Sequence, residues 1–372
     1  MKKNYKLPVI LTVFLLSFLV SPLSYAKEYI AKEYIAKEYM IVGARPDKLF
    51  VIDIKARKVE KTFTIPDSTA PQNIVISPKG DIAYVVTNGL KSIVGIELEE
   101  GNVVFRADLD YKDDERTWNY GIDLSPDGSE IYSYDIPTKI HLDRFESLEP
   151  RLSVFKTNAG LEAVVDREFP MPRRIHLLMT AKSGALYAMG WDFYKIDVQT
   201  GAYEVAYPLR HWTKENLSQP DALAFWPSWD NNGIFSTPIY YARTDMAEDN
   251  MARYRTGVLS LDLKTEKFDM IDFQGEPEVL FSTVYHPDRK TAYAAYNTLL
   301  KIDLEKAETI KRIDLDHSYY QTEISADGKE VYVGGTACDI AIYDSKDLSR
   351  IGEVILPNCP DMGATVVRMI HK

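Results

Sequence analysis

The amino-acid sequence predicts an all-β protein, a seven-bladed β-propeller of four-stranded antiparallel blades whose ring is closed by the N- and C-terminal strands in one blade. Three observations predict this fold. A β-branched run, usually ending in an acidic residue, recurs seven times, and a tight turn followed by an aromatic strand recurs between these runs. No stretch of helical length and period separates the strands, whereas a parallel α/β fold would need such helices.

The seven β-branched runs are expected to be the same strand of each blade. They are rich in Val, Ile and Leu, which fit a pleated and half-buried surface. Five runs end in Asp, the second ends in Glu, and the third lacks the acid. In chain order they are Leu49–Asp53, Ile93–Glu97, Leu152–Phe155, Phe193–Asp197, Val258–Asp262, Leu299–Asp303 and Ile340–Asp344.

The spacing of these runs indicates the size of the repeat. Asp262, Asp303 and Asp344 follow one another at intervals of 41 residues. That interval matches a four-stranded propeller blade of about 40–50 residues. Longer intervals elsewhere indicate insertions in some blades.

The second repeating unit is a turn that leads into an aromatic strand. Ser77–Gly80 precedes Ala83–Val85, and Ser125–Gly128 precedes Ile131–Tyr132. Pro presets the backbone of such a turn, Asp closes it with a local hydrogen bond, and Gly supplies the positive φ. Similar units begin at Ser183, His286 and Ser325.

The two chain ends are expected to share one blade. Tyr39–Val42, Leu49–Asp53 and Val59–Ile65 supply three strands, and Thr365–Ile370 supplies the missing innermost strand. The ring must close, because an open propeller leaves unpaired strand edges. The sequence therefore predicts one propeller over residues 37–372.

Composition narrows the functional classes. The chain has 372 residues, 45% of them hydrophobic, and a formal net charge of -11. The apolar content excludes a mainly disordered chain, and the acidic balance argues against nucleic acid as a partner. With 2 Cys, neither a disulfide scaffold nor an all-Cys zinc site is available.

The N-terminus is typical of a secretory signal peptide. A basic start precedes the apolar run Leu7–Val20, and small residues follow at Ser24 and Ala26. We expect residues 1–26 to be removed and the mature chain to be periplasmic, with no membrane span; an uncleaved anchor is the alternative. Residues 27–36 belong to a tandem pentapeptide repeat and are expected to form a mobile tail.

Motifs that carry chemistry in other proteins are missing from the sequence. It has no Cys-x-x-Cys-His for a c-type haem, no glycine-rich nucleotide loop, no His-Glu-x-x-His and no Gly-x-Ser-x-Gly. Its six histidines are scattered. We therefore predict no catalytic residue, no metal ligand and no cofactor in this chain.

The rim of the central channel is the place where a ligand or partner is expected. Aligning the innermost strands places Gln72, Tyr120, Arg174, Asp221, Phe281, Tyr320 and Met362 on one rim. His317 and Tyr319 lie in a loop that leads into an innermost strand. A polar and aromatic rim suits binding; the alternative is a water-filled channel mouth without a ligand, with His317 and the tyrosines only packing blades.

The two cysteines are a disulfide candidate. Cys338 lies between the second and third strands of the last blade, and Cys359 lies in the loop that leaves this blade, so both are expected on one face. Because the periplasm is oxidising, a bond can form. Two free thiols are the alternative.

Several short segments, in order along the whole mature chain, resemble the β subunit of quinohemoprotein amine dehydrogenase, a YVTN-type seven-bladed propeller. They are Ala44–Leu49 with Val51–Asp53, Gln219–Ala224, Thr237–Tyr240 with Ala242–Arg243, Tyr254–Gly257, Ala295–Asn297 and His317–Tyr320. The duplicated N-terminal pentapeptide and the two cysteines depart from the family pattern.

The resemblance implies a periplasmic αβγ heterotrimer that oxidises primary amines to aldehyde and ammonia. The α subunit would be a dihaem cytochrome with two c-type haems, and the small γ subunit would carry cysteine tryptophylquinone. The β subunit would hold γ and help to wall the substrate cavity, through candidates such as His317, Tyr319, Tyr320, Asp221, Tyr120, Arg174 and Phe281. The alternatives are a stand-alone secreted propeller that binds a ligand or surface partner, and a propeller hydrolase with a central metal.

Overall fold

Turn chemistry and buried β-branched runs build the strands of this protein. The computed structural model describes residues 37–110, 114–273, 277–363 and 366–372. The predicted signal peptide, residues 1–26, and the predicted tail, residues 27–36, lie outside the described residues. In chain order the strands are β1 (Glu38–Ala44), β2 (Lys48–Asp53), β3 (Lys58–Thr64), β4 (Ile74–Ile76), β5 (Ile82–Thr87), β6 (Ser92–Glu97), β7 (Val103–Asp108), β8 (Glu115–Leu124), β9 (Glu130–Ile140), β10 (Phe145–Ser147), β11 (Arg151–Lys156), β12 (Arg167–Pro170), β13 (Leu177–Thr180), β14 (Leu186–Met189), β15 (Phe193–Ile196), β16 (Tyr203–Tyr207), β17 (Asp221–Ala222), β18 (Ile234–Ala242), β19 (Tyr254–Asp262), β20 (Lys267–Asp272), β21 (Leu280–Tyr285), β22 (Thr291–Tyr296), β23 (Thr298–Asp303), β24 (Glu308–Asp314), β25 (Gln321–Ile324), β26 (Glu330–Gly334), β27 (Asp339–Asp344), β28 (Arg350–Ile355) and β29 (Val367–His371).

These strands form seven antiparallel sheets, which confirms the predicted seven-bladed β-propeller. We number the blades 1–7 along the chain. Blade 1 has the order β29-β1-β2-β3, blades 2, 4, 5, 6 and 7 are simple four-stranded meanders, and blade 3 adds the short strand β10 beside β9. The seven β-branched runs all occupy the third strand from the channel.

The acidic residue that ends most third strands has a local structural role. Asp53 Oδ1 accepts a hydrogen bond from the Ala56 N–H at 2.8 Å, and Asp262 Oδ1 accepts one from the Lys264 N–H at 2.8 Å. The same contact recurs after the third strands of blades 4, 6 and 7. Such a contact stabilises the turn that reverses the chain into the outermost strand.

The ring closes as the sequence predicts, through a blade made from both chain ends. Strand β29 pairs antiparallel with β1, with Met369 opposite Met40 and Arg368 opposite Ile41. The Lys37 N–H donates to the Lys372 carbonyl at 2.7 Å, and the Lys372 N–H donates back at 2.9 Å. The inner edge of β1 is therefore paired with β29.

The core lies between neighbouring blades. Seven buried apolar clusters, one for each blade-to-blade contact, are found among the described residues. The cluster between blades 1 and 2, for example, contains Ile41, Leu49, Val85 and Ile96. Because a blade is covered on both faces, its middle strands are apolar on both sides.

Helical structure in the described residues is limited to two short 3₁₀ segments, Thr157–Glu162 and Met251–Arg253. None of the helices there has the length and apolar content that crossing a bilayer requires.

We call the face on which the chain arrives at each innermost strand the top face, and the opposite one the bottom face.

Candidate functional site

The top face collects most of the residues that the sequence placed on the rim. Tyr120 lies in β8 and is 43% exposed, and Asp221 begins β17 and is exposed. Arg174 precedes β13, and its guanidinium carbon lies 5.1 Å from the centre of the Trp191 ring. Phe281 and Tyr320 stand at the starts of β21 and β25. These residues therefore belong to different blades that share one face.

An aromatic cluster joins blades 5, 6 and 7 beside the top of the channel. Trp226 and Phe281 stack with ring centres 5.4 Å apart, and Phe281 stacks on Tyr296 at 3.9 Å. Tyr320 completes the cluster, 4.6 Å from Trp226 and 5.1 Å from Phe281. Phe225, which precedes Trp226 in the sequence, packs on the Trp226 ring with ring centres 5.7 Å apart and is 55% exposed. The cluster therefore reaches solvent at the top face.

Two members of this cluster, Phe225 and Trp226, come from a segment that was not among the rim residues predicted from the sequence. Between β17 and β18 the chain does not form a full innermost strand but follows a longer path over residues 223–233. We call residues 225–231 the channel plug. Its sequence signal is Phe225-Trp226-Pro227-Ser228-Trp229, which has no strand alternation.

Contacts across the ring show that the plug lies inside the channel. The Ser228 hydroxyl donates to Glu323 of blade 7, and Asp230 Oδ2 accepts from the Met369 N–H of blade 1 at 2.9 Å. The guanidinium carbon of Arg368 lies 4.5 Å from the Trp229 ring centre. Blades 1 and 7 are not neighbours of blade 5, so these contacts can form only through the middle of the ring.

The plug meets a group of charged side chains in the channel, of which Glu323 and Arg368 are buried. Burial and the nearby Asp230 raise the pKa of Glu323 well above its usual value. Burial also raises the pKa of Asp230, and it raises the pKa of Asp123 to about 6. Arg368, whose side chain is 6% exposed, opposes these carboxyl groups, and its Nε donates to the Ile74 carbonyl at 2.8 Å.

These charges border a cavity of about 270 Å³ at the bottom face. Asp123, Asp230, Arg368, Trp229 and His371 are among its lining residues. Across the described parts of the chain, no group of three or more His, Cys, Asp or Glu residues is arranged to hold a metal ion. This acidic group could not be predicted from the sequence, because its members lie far from one another along the chain.

His317 and Tyr319 lie apart from the aromatic cluster. Tyr319 is fully buried, and its hydroxyl donates to Asp339 Oδ2 at 2.6 Å. His317 Nε2 lies 2.9 Å from Asp339 Oδ1, and the centres of the His317 and Tyr319 rings are 4.0 Å apart. Burial and the bond to Asp339 raise the pKa of Tyr319. This arrangement ties the loop before blade 7 to the start of β27.

Next to this loop, Cys338 and Cys359 are joined by a disulfide with a Cα–Cα distance of 4.8 Å. The bond connects the loop before β27 to the segment that leaves blade 7 for the closing strand. It therefore adds a covalent link close to the point where the ring closes.

Three further tryptophans, Trp212, Trp118 and Trp191, have different surroundings. Trp212 is half-buried and packs on Tyr207 of the outermost strand β16, with ring centres 6.4 Å apart. Trp118 is half-buried within β8. Trp191, which was not among the predicted rim residues, is 43% exposed on the top face.

Comparison with known proteins shows the fold. No protein-family model matches the sequence, and no curated protein matches it. A functionally unknown protein from Desulfotomaculum acetoxidans superposes with a TM-score of 0.57 at 12% identity, over 90% of this chain and 99% of that chain. Apo AztD from Citrobacter koseri superposes with a TM-score of 0.53 at 11% identity, over 90% of this chain and 98% of that chain. Dihydro-heme d1 dehydrogenase NirN superposes with a TM-score of 0.50 at 12% identity, over 90% of this chain and 75% of that chain. At these identities the likeness extends to the β-propeller architecture alone.

Proposed function

We propose that this chain is the cofactor-free β subunit of a periplasmic quinohemoprotein amine dehydrogenase. In that role it holds a small quinone-bearing γ subunit, contacts a dihaem cytochrome α subunit, and walls the cavity that receives a primary amine. The proposal rests on the ordered segments that resemble this family and on the character of the top face.

The observation that carries the proposal is the exposed aromatic surface around the channel mouth. Tyr120, Trp191 and Phe225 are each more than two-fifths exposed, and they belong to blades 3, 4 and 5. Aromatic side chains are enriched at the centres of protein interfaces, where they bury a large area and lose little side-chain entropy. A partner that covers this face would bury all three.

The aromatic cluster would contribute to the amine cavity as an apolar wall. Phe281, Tyr296 and Tyr320 stack on one another, so their positions are fixed before a partner binds. Rigid aromatic walls exclude water, which strengthens polar interactions within a closed site. The redox chemistry would be supplied by the quinone and the haems of the partner subunits, and this chain would position and cover it.

Purification of the tagged chain from its native host tests the proposal. We expect a haem-staining chain and a small quinone-bearing chain to co-purify, and the complex to reduce a dye when a primary amine is added. In this complex Tyr320→Ala should raise the apparent KM for the amine several-fold, whereas Tyr203→Ala, on the outermost strand of blade 4, should not change it. A tagged chain that purifies alone and without haem would contradict the proposal and favour the stand-alone secreted propeller.

A further inference from the structure

Three arginines of blade 4 differ from all other arginines of the described chain in having no carboxylate at ion-pair distance. Arg173 donates to the Ser147 hydroxyl at 3.0 Å and to the Leu148 carbonyl at 3.1 Å, so its side-chain partners within the described segments are neutral. Among the described residues, the recorded partner of the Arg174 and Arg210 guanidinium groups is the Trp191 ring. Every other arginine in the described ranges has an acidic partner.

Both guanidinium carbons lie close to a single indole ring. The distance to the Trp191 ring centre is 5.1 Å for Arg174 and 5.5 Å for Arg210. Cation–π contact at this range holds a guanidinium in place but leaves its N–H groups free to donate. The two arginines are thus held together by Trp191 without being neutralised.

His211 lies at the border of this group. Its Nδ1 lies 2.6 Å from Asp192 Oδ2, and its side chain is 73% exposed. Asp192 is fully buried and also accepts hydrogen bonds from the backbone N–H groups of Leu209 and Arg210. Although burial opposes it, these bonds lower the pKa of Asp192, so this carboxylate is charged but turned inward. We call Arg173, Arg174, Trp191, Arg210 and His211 the blade-4 patch.

We propose that the blade-4 patch is a docking surface for a carboxylate-rich surface of a protein partner. The patch presents guanidinium groups that have no carboxylate partner among the described residues, although the chain as a whole has a formal net charge of -11. Its positive charge is therefore complementary to the carboxylates of a partner. Arg and Trp are also among the residue types that are enriched at interface hot spots. A protein partner suits the patch better than a small anion, because Arg174, Trp191, Arg210 and His211 are all exposed and small ligands prefer concave sites.

This inference deepens the proposed function, since it assigns the chemistry of a partner surface, but its test needs no other subunit. Fluorescein-labelled hexaglutamate is titrated with the purified chain at about 20 mM salt, where charge interactions are weakly screened, and binding is followed by anisotropy. We expect saturable binding that Arg174→Ala/Arg210→Ala weakens at least tenfold and that Trp191→Ala also weakens. The matched control is Arg45→Ala/Arg144→Ala, which removes two exposed arginines that have acidic partners and should retain wild-type affinity.

Three outcomes would overturn the inference. They are no binding of hexaglutamate by the wild-type chain, equal weakening by the two double variants, and competition by free glutamate as effective as that of the peptide at equal carboxylate concentration. The third result would indicate a small-anion site instead of a protein surface. None of these results contradicts the amine dehydrogenase proposal. A chain that binds hexaglutamate but purifies without haem would contradict the amine dehydrogenase proposal and leave the docking surface supported.

Discussion

At the residue scale, Asp123 is the group whose environment has the clearest consequence for pH dependence. It lines the bottom cavity, and burial raises its pKa to about 6. An aspartate in an unfolded chain has a pKa of about 4. Between these values the folded protein holds a proton that the unfolded chain has released, so its stability falls as the pH rises from about 4 to about 6.

Asp123→Asn removes this ionisation. We therefore expect the free energy of unfolding of the variant, relative to that of wild type, to be higher at pH 7.5 than at pH 4.5 by about 1–3 kcal/mol. Urea unfolding at the two pH values measures the difference. Asp127→Asn is the control with the opposite sign, because hydrogen bonds from Ser125 and Ser129 lower the pKa of Asp127 to about 2. An Asp123 variant that changes stability equally at both pH values would contradict the assignment.

The rim residues show how far single positions could be predicted. Phe281 and Tyr320 were placed on the rim from the alignment of innermost strands, and they meet in one cluster. Tyr319, next to Tyr320 in the sequence, is fully buried and bound to Asp339. Neighbours in an extended segment point to opposite sides, and the sequence alone does not show which of two adjacent tyrosines faces the channel.

At the scale of elements, the third strands were predictable because their signal is local. Each has its own buried β-branched run, and most have an acidic residue that caps the following turn. The channel plug was not predictable, since Ser228, Trp229 and Asp230 find their partners in blades 7 and 1. Arg368 illustrates the same limit, because its contacts to Trp229 and Ile74 join residues more than a hundred positions away.

The disulfide is the element-scale feature with the simplest test. Cys338 and Cys359 are 21 residues apart in sequence, and closing a loop of that size restricts the unfolded chain by about 3 kcal/mol. We expect Cys338→Ala/Cys359→Ala to lower the free energy of unfolding by about this amount under oxidising conditions. Reduced wild-type protein should show a similar loss, which separates the effect of the bond from that of the substitutions.

A thiol titration of the denatured chain provides the direct measurement. We expect no reactive thiol before reduction and two after it. Two thiols in unreduced protein purified from the periplasm would show that the bond does not form there.

At the scale of the whole molecule, the closing blade decides whether the ring is stable. Strand β29 covers the inner edge of β1, and it also carries Arg368, which contacts the plug and blade 2. A truncation after Val366 therefore removes β29, which leaves the inner edge of β1 unpaired. It also removes Arg368, the buried cation that opposes the charges of Asp230 and Glu323. Unpaired edges of this kind promote aggregation.

We expect this truncated chain to be insoluble or to melt without cooperativity, as judged by circular dichroism. A circular permutant is the matched control: it retains β29, joins Lys372 to Lys37 through a short linker, and opens the chain at the exposed turn Glu99–Glu100. Because the backbones of Lys37 and Lys372 already bond to each other, the permutant should melt cooperatively near the wild-type temperature. If the truncated chain melted as cooperatively as the permutant, the closing strand would not be what holds the ring together.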